Sequence, residues 1–292
     1  MKMLKRKQRI IIIALALVPV LSGCAAGSRN VPASEQPGEV QSSSTEQQSG
    51  PTEQQSVQTE QQSGTTELQS GLTEHQSGQA EQKGEDEGMS AKLLYQGHAS
   101  ARIETADGKV IYIDPFAGDG YDLPADLILI THSHFDHTQT DLIQSKNPGC
   151  EIISWKEALK GGEHQSFDYG FVKVQAVEAG YNKNHNVKDC VGYVLTFADG
   201  VTVYFSGDTS KTPQMAELGD LDYAFFCCDG VYNMDMNEAV ECAKLVGAKH
   251  SIPYHMIPAD PQNNFDRELA ETFEVEGRII LAPGEILDLT KE

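Results

Sequence analysis

One heptapeptide restricts the fold of this chain more than any other segment: residues 131–137 read Thr-His-Ser-His-Phe-Asp-His. It directly follows residues 127–130, a continuous apolar run typical of a strand buried on both faces. Neutral imidazoles are common metal ligands, and a nearby carboxylate adds charge and fixes geometry. His132 and His134 can face one ion from an extended segment, while the Asp-His pair at the following turn can face a second. The alternative is a solvated polar loop, which the strand before it and the density of ligands disfavour.

Strand and helix patterns alternate from residue 89 to residue 292. Strands are predicted at residues 93–95, 101–103, 110–113, 127–130, 172–177, 191–197 and 201–205, and helices at 237–246 and 267–273. Asp199-Gly200 predicts a hairpin turn between two of these strands. Such interleaving indicates an α/β class with layered packing, and about 200 residues suffice for a proper core.

The heptapeptide resembles the His-x-His-x-Asp-His signature of the metallo-β-lactamase superfamily of metallohydrolases. The remaining ligands of that family follow in order as His185, Asp208 and His255, and the resemblance covers about residues 91–290. It implies a four-layer αββα sandwich that carries two divalent metal ions at one edge. The implied ligands are His132, His134 and His185 for the first ion, Asp136, His137 and His255 for the second, and Asp208 between them.

Two metal ions imply hydrolysis without a Ser or Cys nucleophile, because they lower the pKa of a bridging water and polarise the scissile bond. Asp136 is expected to orient the attacking hydroxide. Zinc suits a His-rich site, but manganese and iron also accept these ligands. The bond could belong to a lactone, another ester or a phosphodiester, in a small-molecule substrate.

Charge narrows the class of partners. Residues 89–292 hold 32 acidic and 15 basic residues. This net negative charge repels phosphate backbones and argues against general nucleic-acid binding. A bound metal ion could still attract an anionic small molecule.

Three further residues are candidates near the metals. Gly97-His98-Ala99 resembles a segment of the ascorbate-6-phosphate-lactonase-like branch of the superfamily. His98 could donate a hydrogen bond to a metal ligand, contact substrate, or be a hydrogen-bonded core residue. Asn182 and Tyr232 lie in loops close to ligand-bearing segments, which suggests substrate contact.

The N-terminus has the pattern of a bacterial lipoprotein signal peptide at residues 1–23. Six basic and no acidic residues lie in residues 1–30, and an apolar run too short to span a bilayer comfortably ends at Leu21-Ser-Gly-Cys24. This ending resembles the lipobox, which implies acylation of Cys24 and a chain anchored on the extracytoplasmic face of the membrane. An uncleaved anchor helix is the alternative.

Residues 24–88 are predicted to be a disordered tether. From Thr45 a seven-residue repeat rich in Glu, Gln, Ser and Thr runs through this segment. Such residues cannot bury enough surface to offset the entropy of ordering.

Two questions stay open at this level. After Cys24 the chain has five cysteines without metal-ligand spacing, which read mostly as small buried hydrophobes, although a disulfide is possible. The protein could also be a non-catalytic lipoprotein that binds a solute or a metal on the same fold.

Overall fold

Two six-stranded sheets form the fold of residues 90–291, the part of the chain that the computed structural model describes. The strands, in chain order, are β1 (Ala91–Gly97), β2 (Ser100–Glu104), β3 (Val110–Ile113), β4 (Ala125–Leu129), β5 (Lys146–Ile153), β6 (Leu159–Lys160), β7 (Glu163–His164), β8 (Ser166–Asp168), β9 (Val172–Glu178), β10 (Val191–Phe197), β11 (Thr202–Phe205), β12 (Tyr223–Cys227), β13 (His250–Tyr254) and β14 (Ile286–Leu289). The predicted signal peptide at residues 1–23, the lipidation site at Cys24 and the tether at residues 24–88 lie outside the described residues and stay predictions.

Within each sheet, most strands run in the same direction. The first sheet has the order β14-β1-β2-β3-β4-β5 and the second β13-β12-β11-β10-β9-β8, while β6 and β7 form a separate hairpin. In the first sheet β1, β3 and β4 run the same way, because β2 is antiparallel to both of its neighbours and β4 is parallel to β3. In the second sheet β9, β11, β12 and β13 share one direction, since β10 is antiparallel to its neighbours.

The main core lies between the sheets, and side-chain alternation assigns each strand face. Ile111 and Leu127 join one large buried cluster with residues of the second sheet, such as Val203. Their neighbours Tyr112 and Ile128 point the other way, into a smaller cluster on the outer face of the first sheet. Both faces of β3 and β4 are therefore buried, as the continuous apolar runs predict.

Helices and loops cover the outer faces. Helix α1 (Trp155–Ala158) and partly buried Trp155 pack on the first sheet, and α2 (Met236–Val246) packs on β12 of the second. The third helix, α3 (Arg267–Glu271), is followed by Phe273, whose ring contacts Phe226 of β12. The 3-10 helices occupy Phe135–His137, Thr140–Leu142 and Pro213–Glu217. The four-layer sandwich is confirmed, with a thin outer layer on the first sheet.

Local signals explain where α2 begins and ends. The Asp235 carboxylate caps its first turn by accepting from the Glu238 backbone N–H, and Gly247 ends it in the left-handed conformation with φ 67°. The predicted helices at 237–246 and 267–273 are confirmed to within one or two residues of their ends. None of the helices within residues 90–291 combines the length and apolar character that a membrane crossing requires.

The five cysteines of the described part are free thiols. Cys190, Cys227, Cys228 and Cys242 are buried, which agrees with their interpretation as small hydrophobes, and Cys150 is half-buried.

Candidate metal centre

The predicted ligands all follow strands that end at the same edge. His132, His134, Asp136 and His137 come after β4 of the first sheet. His185 follows β9, Asp208 follows β11 and His255 follows β13 of the second sheet. Because these strands run in one direction within each sheet, their carboxyl ends bring the side chains to one edge of the sandwich.

The buried carboxylate of Asp208 is the centre of the cluster. Its Oδ2 lies 3.3 Å from Nε2 of both His185 and His255 and 3.9 Å from Nε2 of His132. Its Oδ1 lies 3.5 Å from Nε2 of His137. Four imidazoles from two sheets thus converge on one acidic side chain, in the position that the resemblance assigns between two ions.

The ligand atoms form three overlapping groups, and within each group they lie within 4.8 Å of one another. The groups are His132, His134 and His185; His132, His137 and Asp208; and His98, Asp136, His137 and His255. The structure therefore brings together all seven predicted ligands and adds His98.

Several buried atoms of this cluster lack hydrogen-bond partners among the described residues. They are Nε2 of His132, His137 and His255, Oδ1 of Asp208, and Nδ1 of His98 and His255. A buried polar atom without a partner costs about 1–3 kcal/mol. Imidazole nitrogens and a carboxylate oxygen left open towards one point are the donor set of a divalent metal ion, so these residues fit such an ion.

A residue that the sequence analysis missed orients two of the ligands. The Asp114 carboxylate accepts hydrogen bonds from the Thr131 hydroxyl (2.7 Å) and backbone N–H (2.8 Å), and it lies 2.9 Å from Nδ1 of His137. The Thr131 hydroxyl is in turn 3.1 Å from Nδ1 of His132. Because these contacts hold Nδ1 of His132 and His137, Nε2 of each ring faces Asp208. The position of Asp114 directly after a buried strand was the available signal.

The sequence analysis also missed Asn233 and Asp229, which lie beside Asp208 and His255. The Asn233 side-chain amide donates to Oδ2 of Asp208 (2.9 Å) and to Oδ2 of Asp229 (2.8 Å). The same Asp229 oxygen lies 3.4 Å from Nδ1 of His255. Asp229 follows β12, so another strand end contributes to the support of Asp208 and His255.

Asn182 acts on the loop of His185. Its Oδ1 accepts from the backbone N–H groups of Asn184 and His185, each at 2.9 Å, and lies 3.2 Å from Nδ1 of His185. This geometry assigns Asn182 to the positioning of a ligand, whereas the sequence suggested substrate contact.

His98 is fully buried beside the second group of ligands. Its Nε2 lies 3.0 Å from Oδ2 of Asp136, and its ring centroid is 3.7 Å from that of His255. Its backbone carbonyl accepts from the Tyr95 hydroxyl and the His255 backbone N–H, each at 2.9 Å. Of the roles open to His98, the contact with a predicted ligand matches the structure, and full burial argues against substrate contact.

Backbone conformation is unusual at the same place. Non-glycine residues with positive φ number four in the described part, and three of them belong to the cluster: His98 (53°), Asp114 (43°) and His255 (44°). The left-handed region costs about 1–3 kcal/mol for such residues and is tolerated where surrounding contacts impose it. The site is therefore built at the expense of local backbone strain.

Burial sets the charge of the imidazoles. It lowers the pKa of His137 and of His98 to about 4, so both are neutral near pH 7. Burial also lowers the pKa of His255, but Asp208 and Asp229 outweigh it and raise that pKa to about 9. Burial raises the pKa of Asp208, yet the surrounding histidines hold it well below its ordinary value. His137 and His98 are thus neutral beside an ionised Asp208, the states that metal ligation needs, whereas His255 would have to release its proton when an ion binds.

Replacing His98 with asparagine is expected to lower turnover or metal affinity about 10–100-fold, the range typical of residues that orient ligands. Asparagine tolerates positive φ but is too short to keep the contact with Asp136. Metal content after dialysis against a metal buffer, measured beside turnover, checks this, with His164→Asn as the matched control in the β6–β7 hairpin. Unchanged affinity and turnover in a folded His98→Asn protein would assign His98 to the core alone.

The cluster opens into a cavity of about 410 Å³. Its polar side is formed by His134, Asp136, His185, Asp208 and His255, and its apolar side by Phe135, Tyr232, Pro258 and Ala259. Tyr232 thus lies where the sequence analysis expected a substrate contact.

A family model described as the beta-lactamase superfamily domain matches residues 92–255. The chain belongs to the metallo-β-lactamase superfamily. The match contains every predicted ligand, from His132 to His255.

Similar proteins agree with this assignment. A protein from Pyrococcus furiosus named UPF0173 metal-dependent hydrolase is 32% identical over 230 residues, which cover 68% of this chain and 99% of that protein. A protein of the same name from Anoxybacillus flavithermus is 31% identical over 231 residues, covering 68% and 100%. The chain therefore belongs among the metal-dependent hydrolases of the metallo-β-lactamase superfamily.

A solved structure supports the fold. Igni18, described as a novel metallo hydrolase from Ignicoccus hospitalis, superposes with a TM-score of 0.54 and 24% identity, over 70% of this chain and all of that one.

Proposed function

We propose that residues 89–292 hydrolyse an ester, lactone or phosphodiester bond with two divalent metal ions. The observation that carries this proposal is the buried Asp208 carboxylate, which has imidazole nitrogens of four histidines within 3.3–3.9 Å. A single ion would not need so many ligands around a carboxylate in the middle. Zinc is the first expectation for a His-rich site, with manganese and iron as alternatives.

The residues that would hold the ions divide as the overlapping groups suggest. They are His132, His134 and His185 on one side, Asp136, His137 and His255 on the other, and Asp208 between them. When bound, such ions lower the pKa of water and polarise a carbonyl or phosphoryl oxygen.

The chain's own residues then supply position. Asp136 lines the cavity and would orient the attacking water, while its Oδ2 is held by His98 at 3.0 Å. Asp114 and Asn182 fix the imidazoles of His137 and His185, so that the polar side of the cavity is rigid before substrate arrives. The Gly97-His98-Ala99 segment further supports membership of the ascorbate-6-phosphate-lactonase-like branch.

Metal analysis combined with a substrate panel tests the proposal. Purified protein is analysed for metal content and assayed with lactones, p-nitrophenyl esters and bis-p-nitrophenyl phosphate, before and after chelation and again after zinc, manganese or iron is restored. We expect two ions per chain and turnover that disappears with the ions. Two bound ions without turnover of any substrate would favour the non-catalytic lipoprotein, and turnover by the chelated protein would refute metal dependence.

We also propose that Cys24 carries the lipid that anchors this domain on the extracytoplasmic face of the membrane, on the strength of the basic segment, the short apolar run and Leu21-Ser-Gly-Cys24. Cys24→Ser is expected to release the protein from the membrane fraction or to leave an unprocessed precursor. Labelling with palmitate followed by fractionation checks this. Label on the Cys24→Ser protein at the level of the unchanged protein would disprove lipidation at this residue.

A further inference from the structure

The apolar side of the cavity is unusually exposed for large side chains. Phe135 lies between two of the ligands in sequence and is 63% exposed, and Tyr232 is 50% exposed. Exposed apolar groups scattered singly are normal, but several that line one cavity mark a binding surface. Here they face the same cavity as Asp136 and Asp208.

Tyr232 is held through its backbone and Phe135 through a contact of its ring. The Tyr232 backbone N–H donates to Oδ1 of Asp229 (2.7 Å), and its carbonyl accepts from the Asn184 side-chain amide (3.1 Å). The ring of Phe135 meets Phe116 edge-on, with centroids 5.7 Å apart. These rings are therefore exposed in a fixed position. An apolar group of a ligand would bind them without the entropic cost of first ordering a loop.

The charges around the cavity favour a neutral ligand. Within residues 90–291, the cavity lining contains no lysine and no arginine. Four aspartate side chains, Asp114, Asp136, Asp208 and Asp229, lie in or beside the cluster, and burial raises the pKa of Asp114 to about 7. The cavity lining therefore offers an anion no lysine or arginine from the described residues, and residues 89–292 add a surface with 32 acidic against 15 basic residues.

We propose that the substrate is an uncharged carboxylic ester or lactone whose apolar group packs against Phe135 and Tyr232. This inference rests on the proposed hydrolysis and narrows its substrate class. It favours esters over phosphodiesters, because a phosphodiester brings a negative charge that neither the cavity wall nor the acidic domain compensates.

A pair of substrates of nearly equal size tests the charge. p-Nitrophenyl pentanoate and mono-p-nitrophenyl succinate differ chiefly in the carboxylate at the end of the acyl chain. We expect kcat/KM for the pentanoate to exceed that for the succinate by tenfold or more. Equal values, or a preference for the succinate or for bis-p-nitrophenyl phosphate, would overturn the inference.

A series of acyl lengths tests the apolar wall. From p-nitrophenyl acetate through butyrate to hexanoate, kcat/KM is expected to rise about two- to fourfold for each buried methylene. Phe135→Ala and Tyr232→Ala should flatten this rise, whereas Ile286→Ala, a 60%-exposed residue on edge strand β14, should preserve it. A rise of equal steepness in all variants would exclude these two rings from the binding surface.

Binding without turnover gives an independent readout. Calorimetry with 4-nitrophenyl hexyl ether, which is neutral and has no hydrolysable bond, should show weaker binding to Phe135→Ala and Tyr232→Ala than to Ile286→Ala. The two levels of proposal fail differently. A two-ion protein that hydrolyses nothing contradicts the proposed function, while metal-dependent turnover that prefers anionic substrates contradicts only the neutral ester.

Discussion

Asp208→Asn is expected to lower turnover about 10²–10³-fold, the scale for loss of a principal electrostatic group in an active site. Asparagine keeps the shape of the side chain but removes its charge from among the imidazoles of His132, His137, His185 and His255. Two cations held close together repel each other, and a carboxylate between them reduces that repulsion. We therefore also expect weaker binding of at least one ion.

Elemental analysis and hydrolysis rates for the purified variant measure both effects, with circular dichroism to verify folding. His132→Ala should resemble Asp208→Asn through loss of one ligand group, and His164→Asn should behave like the unchanged protein. The two-ion arrangement would be wrong if folded Asp208→Asn retained two ions and near-full activity.

Phe225→Ala is expected to reduce the free energy of unfolding by about 3–5 kcal/mol, the range for removal of a buried phenylalanine. Phe225 lies in the middle of β12 and is fully buried. Its ring stacks on Phe205 of the neighbouring strand with centroids 4.7 Å apart, and Tyr254 meets it at 5.7 Å. Alanine would leave a cavity among rigid aromatic neighbours that cannot collapse to fill it.

Denaturant unfolding at fixed metal concentration measures this loss. Ile286→Ala is the control, since this 60%-exposed side chain should change stability by no more than about 0.5 kcal/mol. A loss below about 1 kcal/mol for Phe225→Ala would show that the sheet repacks around the gap.

The sequence was informative where chemistry is concentrated in a short segment. The apolar run at residues 127–130 predicts a doubly buried strand, and β4 ends at Leu129, just before the histidine segment. Strand β5 was not predicted, because five of its eight residues are exposed, it contains Pro148-Gly149, and it lies at the sheet edge, where no buried face imposes alternation. β14 pairs with β1 from almost 200 residues away, a contact that no local pattern encodes.

The residues that contact and orient the predicted ligands were harder to predict than the ligands themselves. Asp114, Asp229 and Asn233 belong to no short motif, and each becomes significant only when its strand end reaches the cluster. Aspartate and asparagine at strand ends commonly form turns, so their residue type alone does not separate support of a metal ligand from turn formation.

The ligands come from both sheets, after β4 in the first and after β9, β11 and β13 in the second. Ions bound there would cross-link the two halves of the sandwich, and their occupancy would be thermodynamically linked to the docking of one sheet on the other. An ion at a thousand times its dissociation constant adds about 4 kcal/mol to the folded state. Scarcity of metal would then loosen this edge first, so that the same supply that sets the catalytic rate also sets how long the protein resists proteases.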